Sequence, residues 1–398
     1  MDKKVNSLIK KYSDNELSLN KLVVSAFVHC NSLTVKEGYL ASYIAEKKDG
    51  LDEDISILSS ECSVEDVINI FELAIPKEEK TANGAVYTPK YIRDYIVSHI
   101  VHSTKKPLEY CLCADISCGC GAFLFTLLEA IHEYTAIPYK KILHHLYGID
   151  ISSTSIGRAK ILLALVALKN GETICEEDFR LYCGNSLTYG FKQMPEVVEN
   201  SGFDIIVGNP PYVRSKNIDA ETKKSLSLWD TSKIGNADLY IPFFEIGMSL
   251  LSPKGLLGYI TVNTFFKSVN ARALRNYFSK NHFSLSIIDF GEQLVFKKKL
   301  AYTCLTFLST ERDDSLKYVK TNIADVQEQQ NFVYNQIKYS VLDNHRGWNL
   351  NKIDVLDNIR LIENAGEALG DKYVIKNGIA TLANKVFIFR PIKSDAKY

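Results

Sequence analysis

The sequence predicts an α/β protein: a mostly parallel sheet of seven strands covered by helices on both faces, preceded by a helical N-terminal region. Three observations predict it. From about Ala82 onward, short apolar runs alternate with amphipathic stretches, the pattern of parallel strands joined by crossover helices. The first of those runs passes through a glycine turn into a helix, "ADISCGCGAFLFTLL". A later run, "FDIIVGNPPYVR", goes straight from an apolar strand into an asparagine and two prolines, where open α/β sheets bind ligands, beyond the carboxyl end of a strand.

Residues 1–80 read as helical, with periodic apolar positions in "LNKLVVSAFVHC" and "VEDVINIFELAI" and a break at Pro76. This region carries 10 Lys/Arg and 15 Asp/Glu. The seven strand candidates follow in order: "YCLCADI", "HLYGIDI", "FRLYCGN", "FDIIVGN", "GLLGYITV", "LSIIDFG" and "AYTCLTFL". Between several of them lie the amphipathic stretches "AFLFTLLEAIHEY", "IGRAKILLALVALKN" and "ADLYIPFFEIGMSLL". After Ser309 the pattern loosens into charged, Gln/Asn-rich sequence. The expected division is therefore a helical region 1–80, an α/β domain 81–310, and a linker with the start of a further region over 311–398.

The 398 residues are 46% hydrophobic and 24% charged, with 47 basic and 47 acidic residues. Globular composition with zero net charge announces neither a polyanion nor a membrane, so charge has to be read locally. Residues 251–300 carry 8 basic and 2 acidic residues, net +6, and that window is where a polyanion is expected. No apolar run reaches the ~18 residues of a membrane span. The nine cysteines, an odd number with no disulfide-rich framework and no signal peptide, point to a reducing cytoplasm. The Cys-x-Cys pairs at 111, 113, 118 and 120 lack zinc spacing, so no metal is expected.

Three strand ends carry polar residues suited to one ligand. Asp115 ends the first strand; Gly119 and Gly121 then let the backbone approach a ligand, and a helix beginning near Ala122 offers free N–H groups. No Gly-Lys-Ser/Thr follows, so this is not a phosphate loop. Asp150 ends the second strand, where an acidic residue grips ribose hydroxyls; taken alone, it reads equally well as a carboxylate favoured by a helix dipole. Asn185 and Leu187 end the third, placed to meet the edge and face of an adenine. Upstream, "GAVYTPKYIRDYIVSHI" puts Pro89 in the first turn of a helix and Thr88 at its cap. In "NPPY", two prolines fix their own backbone, remove two N–H donors and restrict Asn209.

These pieces, in this order, resemble the adenine-specific DNA methyltransferases whose catalytic motif is Asn-Pro-Pro-Tyr, within the class whose Tyr-Thr-Pro segment precedes the cofactor loop. The resemblance runs from about Gly84 to Phe307 through "GAVYTP", "DISCGCGAF", "YGIDIS", "GNSL", "FDIIVGNPPYV", "ADLYIPFFE", "KGLLGYITVNTFF" and "LVFKKKLAYTCLTFL". It implies a Rossmann-like sheet with a reversed last strand, binding S-adenosylmethionine. By similarity, Tyr87, Thr88, Pro89, Asp115, Ser117, Gly119, Gly121, Ala122, Phe123, Asp150, Ile151, Asn185, Ser186, Leu187, Asn209 and Pro210 would form the cofactor site. The loop departs from the usual Pro-Ala-Cys-Gly-Ser-Gly, reading "ISCGCG" here; Cys120 is close to serine in size, and binding is expected to survive.

The chemistry implied is methylation of an exocyclic amino group whose lone pair is delocalised into its ring. Two acceptors aimed at its N–H bonds would draw the nitrogen towards tetrahedral geometry: the Asn209 side-chain oxygen and the Pro210 carbonyl. Pro210 and Pro211 make the pair rigid, and Tyr212 offers a stacking face. The target base must leave the duplex, and by motif position Phe296 would be its second aromatic neighbour, unless it is a buried hairpin residue. Lys297, Lys298 and Lys299 read either as contacts to the DNA backbone or as a solvated turn. Double-stranded DNA is thus the expected partner. "GIATLANKVFIF" is similar to the entry into a target-recognition domain, and the expectation is that specificity lies in a missing domain or on a separate subunit.

Three other readings compete. Protein-glutamine and ribosomal-RNA methyltransferases share Asn-Pro-Pro-Tyr but normally lack the Tyr-Thr-Pro segment. A catalytically silent DNA-binding subunit is opposed by the intact motif. A chain with nuclease activity as well would need an Asp…Glu-x-Lys constellation, and residues 1–80 show none that convinces.

Overall fold

Among the described residues, nine strands form a single sheet in the order β3-β2-β1-β4-β5-β7-β6-β8-β9. Each of the seven apolar runs supplies one strand: β1 Cys113–Asp115, β2 Leu146–Asp150, β3 Arg180–Cys183, β4 Phe203–Gly208, β5 Leu251–Val262, β6 Phe283–Asp289 and β7 Thr303–Arg312. The pairs β1–β2, β1–β4, β2–β3 and β4–β5 are parallel. β7 runs antiparallel between β5 and β6, as expected of the reversed last strand. Two further strands, β8 Ser315–Lys320 and β9 Asn335–Lys338, extend the edge beyond β6. The computed structural model describes residues 3–12, 15–44, 51–58, 63–82, 84, 86–233, 235–296, 300–351, 358, 361–362, 365–367 and 369–374.

β4 shows why its sequence is apolar throughout: all six residues are buried, as a central parallel strand covered on both faces requires. β8 differs. Only Leu316 and Tyr318 are buried along it, so a strand with one covered face is written as alternation among charged residues and lacks the apolar run that marks the others.

Five helices, α1 Lys3–Lys11, α2 Glu16–Cys30, α3 Leu51–Leu58, α4 Val64–Leu73 and α5 Lys77–Ala82, occupy the N-terminal region. α4 begins at a capping box: the Ser63 hydroxyl accepts from Asp66 N–H at 3.1 Å, and the Asp66 carboxylate accepts from Ser63 N–H at 3.0 Å. Its Val67, Ile68, Ile70 and Phe71 are buried, each worth ~1.5–3 kcal/mol in removal of apolar surface from water. α6 Lys90–Ser103, α7 Ala122–Thr135, α8 Tyr139–Leu143 and α9 Ser153–Lys169 follow. Arg158 of α9 donates to the Phe71 carbonyl at 3.1 Å, fastening α4 to the sheet's covering layer. Residues 1–350 form one compact unit that includes these helices, and 351–398 a second.

Helices cover both faces, and two adjacent residues of β5 show it. A Cβ on Gly258 would meet Ile96 and Ile100 of α6, whereas Leu257 meets Gly247 of the later helix Ile241–Leu250. Neighbouring strand residues point to opposite faces, so the two helices lie on opposite sides. No helix of the described residues is long and apolar enough to cross a membrane.

Candidate active site

The loops at the carboxyl ends of β1, β2, β3 and β4 surround one cavity of about 240 Å³. Thr88, Asp115, Ser117, Gly119, Ala122, Phe123, Asp150, Ile151, Asn185, Ser186, Leu187 and Asn209 line it, with Pro211. Strands adjacent in a parallel sheet end on the same side, which is how four segments far apart in sequence come to one place.

Asp150 is the hinge of the glycine loop. Its carboxylate accepts from Gly119 N–H and Ser152 N–H, each at 2.9 Å. Burial raises its pKa, against the effect of these two backbone bonds. Asp115 accepts from Ser117 N–H at 2.9 Å, yet burial pushes its carboxyl up to about 8, with the Asp150 charge adding to the rise. Gly119 has φ +51° and its missing side chain faces the cavity, with only Glu72 Oε1 near, at 3.7 Å from where a Cβ would stand. Asn185 closes an Asx turn by accepting from Leu187 N–H at 3.0 Å. The Ser186 hydroxyl donates to the Ile116 carbonyl, tying the third loop to the first.

Four expected cofactor residues stand off the cavity lining. Tyr87 turns towards α4, its hydroxyl 3.3 Å from Glu65 Oε2 and 3.3 Å from Arg93 Nη1. Pro89 is the N-cap residue of α6 rather than a member of its first turn, and no side chain caps that helix. Gly121, at φ +88°, serves packing: a Cβ there would lie 2.9 Å from that of Ala159. Pro210 is buried beside the lining without being part of it. Thr88 is not the helix cap that its position suggests; its hydroxyl oxygen accepts instead from Asn209 Nδ2 at 3.0 Å.

The Asn209 amide is fixed from two sides. Nδ2 donates to the Val86 carbonyl at 3.0 Å and to Thr88 Oγ1, while Oδ1 is buried with no hydrogen-bond partner among the described residues. A buried acceptor without a donor is costly, so this oxygen is set for something that brings an N–H. Tyr212 leaves the cavity: its hydroxyl donates to the Ile260 carbonyl at 3.0 Å, and its ring meets Phe296 edge to face with centroids 6.1 Å apart. A base stacked between two parallel rings needs ~7 Å, twice a van der Waals separation. As they stand, the rings contact each other and enclose no base. Phe296 is itself buried. The Lys297–Lys299 run lies outside the described residues, as does "GIATLANKVFIF".

Several lining residues had no signal in the sequence. Glu72, Ile75 and Glu79 come from the N-terminal helical region, and Asn217, Ile218, Asp219 and Thr222 from the segment after the Asn-Pro-Pro-Tyr turn. That segment is held over the third loop by Trp229 Nε1, which donates to the Leu187 carbonyl at 3.0 Å. Burial pushes Glu72 up to about 7, with the Asp150 charge working against the nearby Lys80 and Arg158.

The cavity's chemistry fits a cation with a nucleoside part. Glu72, Glu79, Asp115, Asp150 and Asp219 line it, and among the described residues the lining contains no Lys, Arg or His. Such a site disfavours phosphate and pyrophosphate ligands and favours a sulfonium or ammonium group. Leu187, Phe123 and Ile151 offer apolar surface for a base, and the Ser117 hydroxyl is a buried polar group without a partner. These residues therefore suit S-adenosylmethionine. The thiols of Cys118 and Cys120 are pushed well up by burial, which makes them poor nucleophiles.

Gly208 is a sensitive position. A Cβ there would lie 2.7 Å from Asp115 Oδ1 and 3.2 Å from its Cγ. Gly208→Ala is expected to displace Asp115 and weaken S-adenosylhomocysteine binding by ~10-fold or more, with a stability loss of ~1–3 kcal/mol. Calorimetric titration and chemical denaturation measure the two effects.

Residues 144–296 match the Eco57I restriction-modification methylase family. The chain is 30% identical over 387 residues to the type II restriction enzyme and methyltransferase RM.Eco57I of Escherichia coli, covering 80% of this chain and 38% of that protein. It is 26% identical over 353 residues to the type II methyltransferase M.BstVI of Geobacillus stearothermophilus, covering 79% of this chain and 61% of the relative. The chain thus spans less than two thirds of the length of either relative. Among solved structures, the type IIG restriction endonuclease BpuSI aligns with a TM-score of 0.61 at 12% identity, over 87% of this chain and 46% of that one. A Listeria monocytogenes protein assigned to the class I S-adenosylmethionine-dependent methyltransferases aligns with a TM-score of 0.52 at 15% identity, over 82% of this chain and 98% of that one. At such identities the structural likeness is one of fold alone.

Proposed function

From the chain's membership of the restriction-modification methylases, we propose that it transfers a methyl group from S-adenosylmethionine to the exocyclic N6 amino group of an adenine flipped out of double-stranded DNA. The observation that carries this reading is the Asn209 amide, whose nitrogen is fully engaged and whose buried oxygen awaits a donor beside the cavity. When bound, S-adenosylmethionine supplies a methyl group activated by a positively charged sulfur.

The chain's own residues do the rest. Asn209 Oδ1 accepts one N–H of the target amino group and the Pro210 carbonyl the other, drawing the nitrogen lone pair out of the ring. Pro210 and Pro211 hold the two acceptors rigid, so no reorganisation is needed as charge develops. The carboxylates of Glu72, Asp115 and Asp150 favour the cationic cofactor over its neutral-sulfur product. The transfer would be direct, with no covalent bond to the protein: the carbon–nitrogen bond forms as the carbon–sulfur bond breaks, a neutral thioether leaves, and the proton lost from the amino nitrogen goes to solvent. Tyr212 and Phe296 part to admit the base, exchanging their mutual contact for stacking on it.

The experiment is methyl transfer from labelled S-adenosylmethionine into plasmid DNA followed by nucleoside mass spectrometry. N6-methyladenine is the expected product; a methylated cytosine, or label entering protein glutamine or RNA in its place, would overturn the proposal.

The partner proposed is duplex DNA in the cytoplasm, with base-sequence selection supplied from outside residues 1–350, on this polypeptide or a separate specificity subunit. A fragment restricted to residues 1–350 is then expected to bind DNA weakly and without selectivity, losing at least ~10-fold in affinity between ~50 and ~200 mM salt. Fluorescence anisotropy with unrelated duplexes checks this, and tight selective binding by that fragment would contradict it.

A further inference from the structure

We infer that Thr88, together with the Val86 carbonyl, sets which way the Asn209 amide faces, so that the Tyr-Thr-Pro segment acts on the methyl acceptor and not only on the cofactor. The inference rests on the proposed role of Asn209 and adds a positioning residue that works through it.

A carboxamide presents an acceptor at one end and donors at the other, in shapes so alike that packing alone cannot choose between its two orientations. The choice has to come from hydrogen bonds. The Val86 carbonyl can only accept, so at 3.0 Å it requires the nitrogen of Asn209 and rejects the oxygen. Thr88 Oγ1, also at 3.0 Å, takes the second N–H. Both donors are consumed, and Oδ1 is left buried and unpartnered. Reversing the amide would set its oxygen against the Val86 carbonyl and would present two donors, instead of an acceptor, to an incoming amino group.

Thr88 is itself held. The Thr88 side chain is buried, and the Thr88 carbonyl accepts from Arg93 Nη1 at 2.7 Å. Arg93 is fully buried, its Nε donating to Thr126 Oγ1 at 3.2 Å and its Nη2 bonding Glu65 Oε1 at 2.5 Å. The same segment meets the catalytic turn a second time: Tyr212 N–H donates to the Gly84 carbonyl at 3.3 Å. Gly84 lies so close, at φ +62°, that a Cβ there would stand 2.7 Å from Tyr212 N. Gly84, residues 86–88 and residues 209–212 therefore form one clamped pair, and the orientation of Asn209 is a property of the clamp.

The test compares Thr88→Val, which keeps the shape and removes the acceptor, with Thr88→Ser, which keeps the hydroxyl. Two readouts are needed in the full chain. The first is kcat at saturating cofactor and DNA, set beside the dissociation constant of S-adenosylhomocysteine. Thr88→Val is expected to lower kcat by ~10–100-fold, more than it weakens S-adenosylhomocysteine binding, and Thr88→Ser to restore most of it. The second is the side-chain NH2 signal of Asn209 in protein labelled with 15N-asparagine, assigned by its loss in Asn209→Ala. Its hydrogen exchange should be slow in the unsubstituted protein and in Thr88→Ser, and at least ~10-fold faster in Thr88→Val, where one of its two partners is gone.

A kcat unchanged by Thr88→Val, with only S-adenosylhomocysteine affinity reduced, would confine Thr88 to the cofactor and overturn the inference. An Asn209 amide equally exposed to exchange in all three proteins would overturn it as well. If the unsubstituted protein transfers no methyl to DNA, the proposed function fails, and the exchange measurement still decides whether Thr88 orients Asn209.

Discussion

Asn209→Ala is expected to reduce methyl transfer by at least ~10²–10³-fold, the scale seen when one preorganised polar group facing a reacting centre is removed. The substitution deletes the buried Oδ1 and also strands the Val86 carbonyl and Thr88 hydroxyl, which lose the N–H groups that now reach them at 3.0 Å. Asn209→Asp separates the two effects. It keeps an oxygen towards the target but sets a second oxygen against the Val86 carbonyl, so the carboxylate has to rotate away or take up a proton. Its activity is expected to fall nearly as far as that of the alanine variant. Label incorporation under single-turnover conditions gives the rate, and the melting temperature shows whether the fold has survived. Transfer at near the unsubstituted rate in folded Asn209→Ala would remove the central element of the proposed mechanism.

Asp115→Asn is expected to make the protein more stable and less able to bind its cofactor. Burial pushes the Asp115 carboxyl up to about 8, above the ~3.9 of an unfolded chain. A group whose folded pKa is raised binds its proton more tightly in the native state, so its ionisation costs stability. That cost is absent below about pH 4, grows as pH rises towards about 8, and stays at its full value above that. Asparagine removes the cost while its side-chain oxygen can still accept from Ser117 N–H, the bond now 2.9 Å long. Denaturation at pH 5 and pH 8 should therefore show the variant gaining more at pH 8, on the order of a few kcal/mol there.

Binding moves the other way. A cationic ligand needs the ionised carboxylate, so S-adenosylmethionine affinity should fall by ~10–100-fold in the variant. In the unsubstituted protein, affinity should rise as pH climbs through the range where Glu72, pushed to about 7, and Asp115 ionise. Stabilisation with undiminished affinity would mean that Asp115 does not face the ligand's positive charge.

The two halves of this site differ in how far the sequence alone reveals them. β1 and β4 are legible because a strand covered on both faces is apolar along its length; β3, with only Leu181 fully buried, shows itself by its apolar run and its place in the alternation with helices. β8 carries no such run because its burial is one-sided: Leu316 and Tyr318 are the whole signal. Asp115, Gly119, Asp150 and Asn185 were legible for a topological reason. Adjacent parallel strands deliver their ends to one side of the sheet, so a polar residue just past an apolar run can be placed without knowing any distance.

Thr88 shows where such reading goes astray. A threonine before a proline at a helix start satisfies every local rule for a cap, yet its hydroxyl oxygen accepts a hydrogen bond from an amide 121 residues further on. Local rules weigh only neighbours in the chain, and a long-range partner outcompetes them without leaving a trace in the sequence. Tyr212 and Phe296 are a second case: motif order brought the two names together, but only packing determines that the rings stand edge to face with no gap between them.

What the sequence determined by itself was the sheet, its order of ligand-facing loops, and the residue types offered at each strand end, because these follow from burial and from the geometry of parallel strands. Only the tertiary structure decided that Glu72 from the N-terminal helices enters the same cavity, that carboxylates and, among the described residues, no cationic side chain line it, and that the Asn209 oxygen is the end of the amide left without a partner there. Each of these depends on which distant groups come within a few ångströms of one another, and the energies that settle them belong to pairs of residues that no local pattern joins.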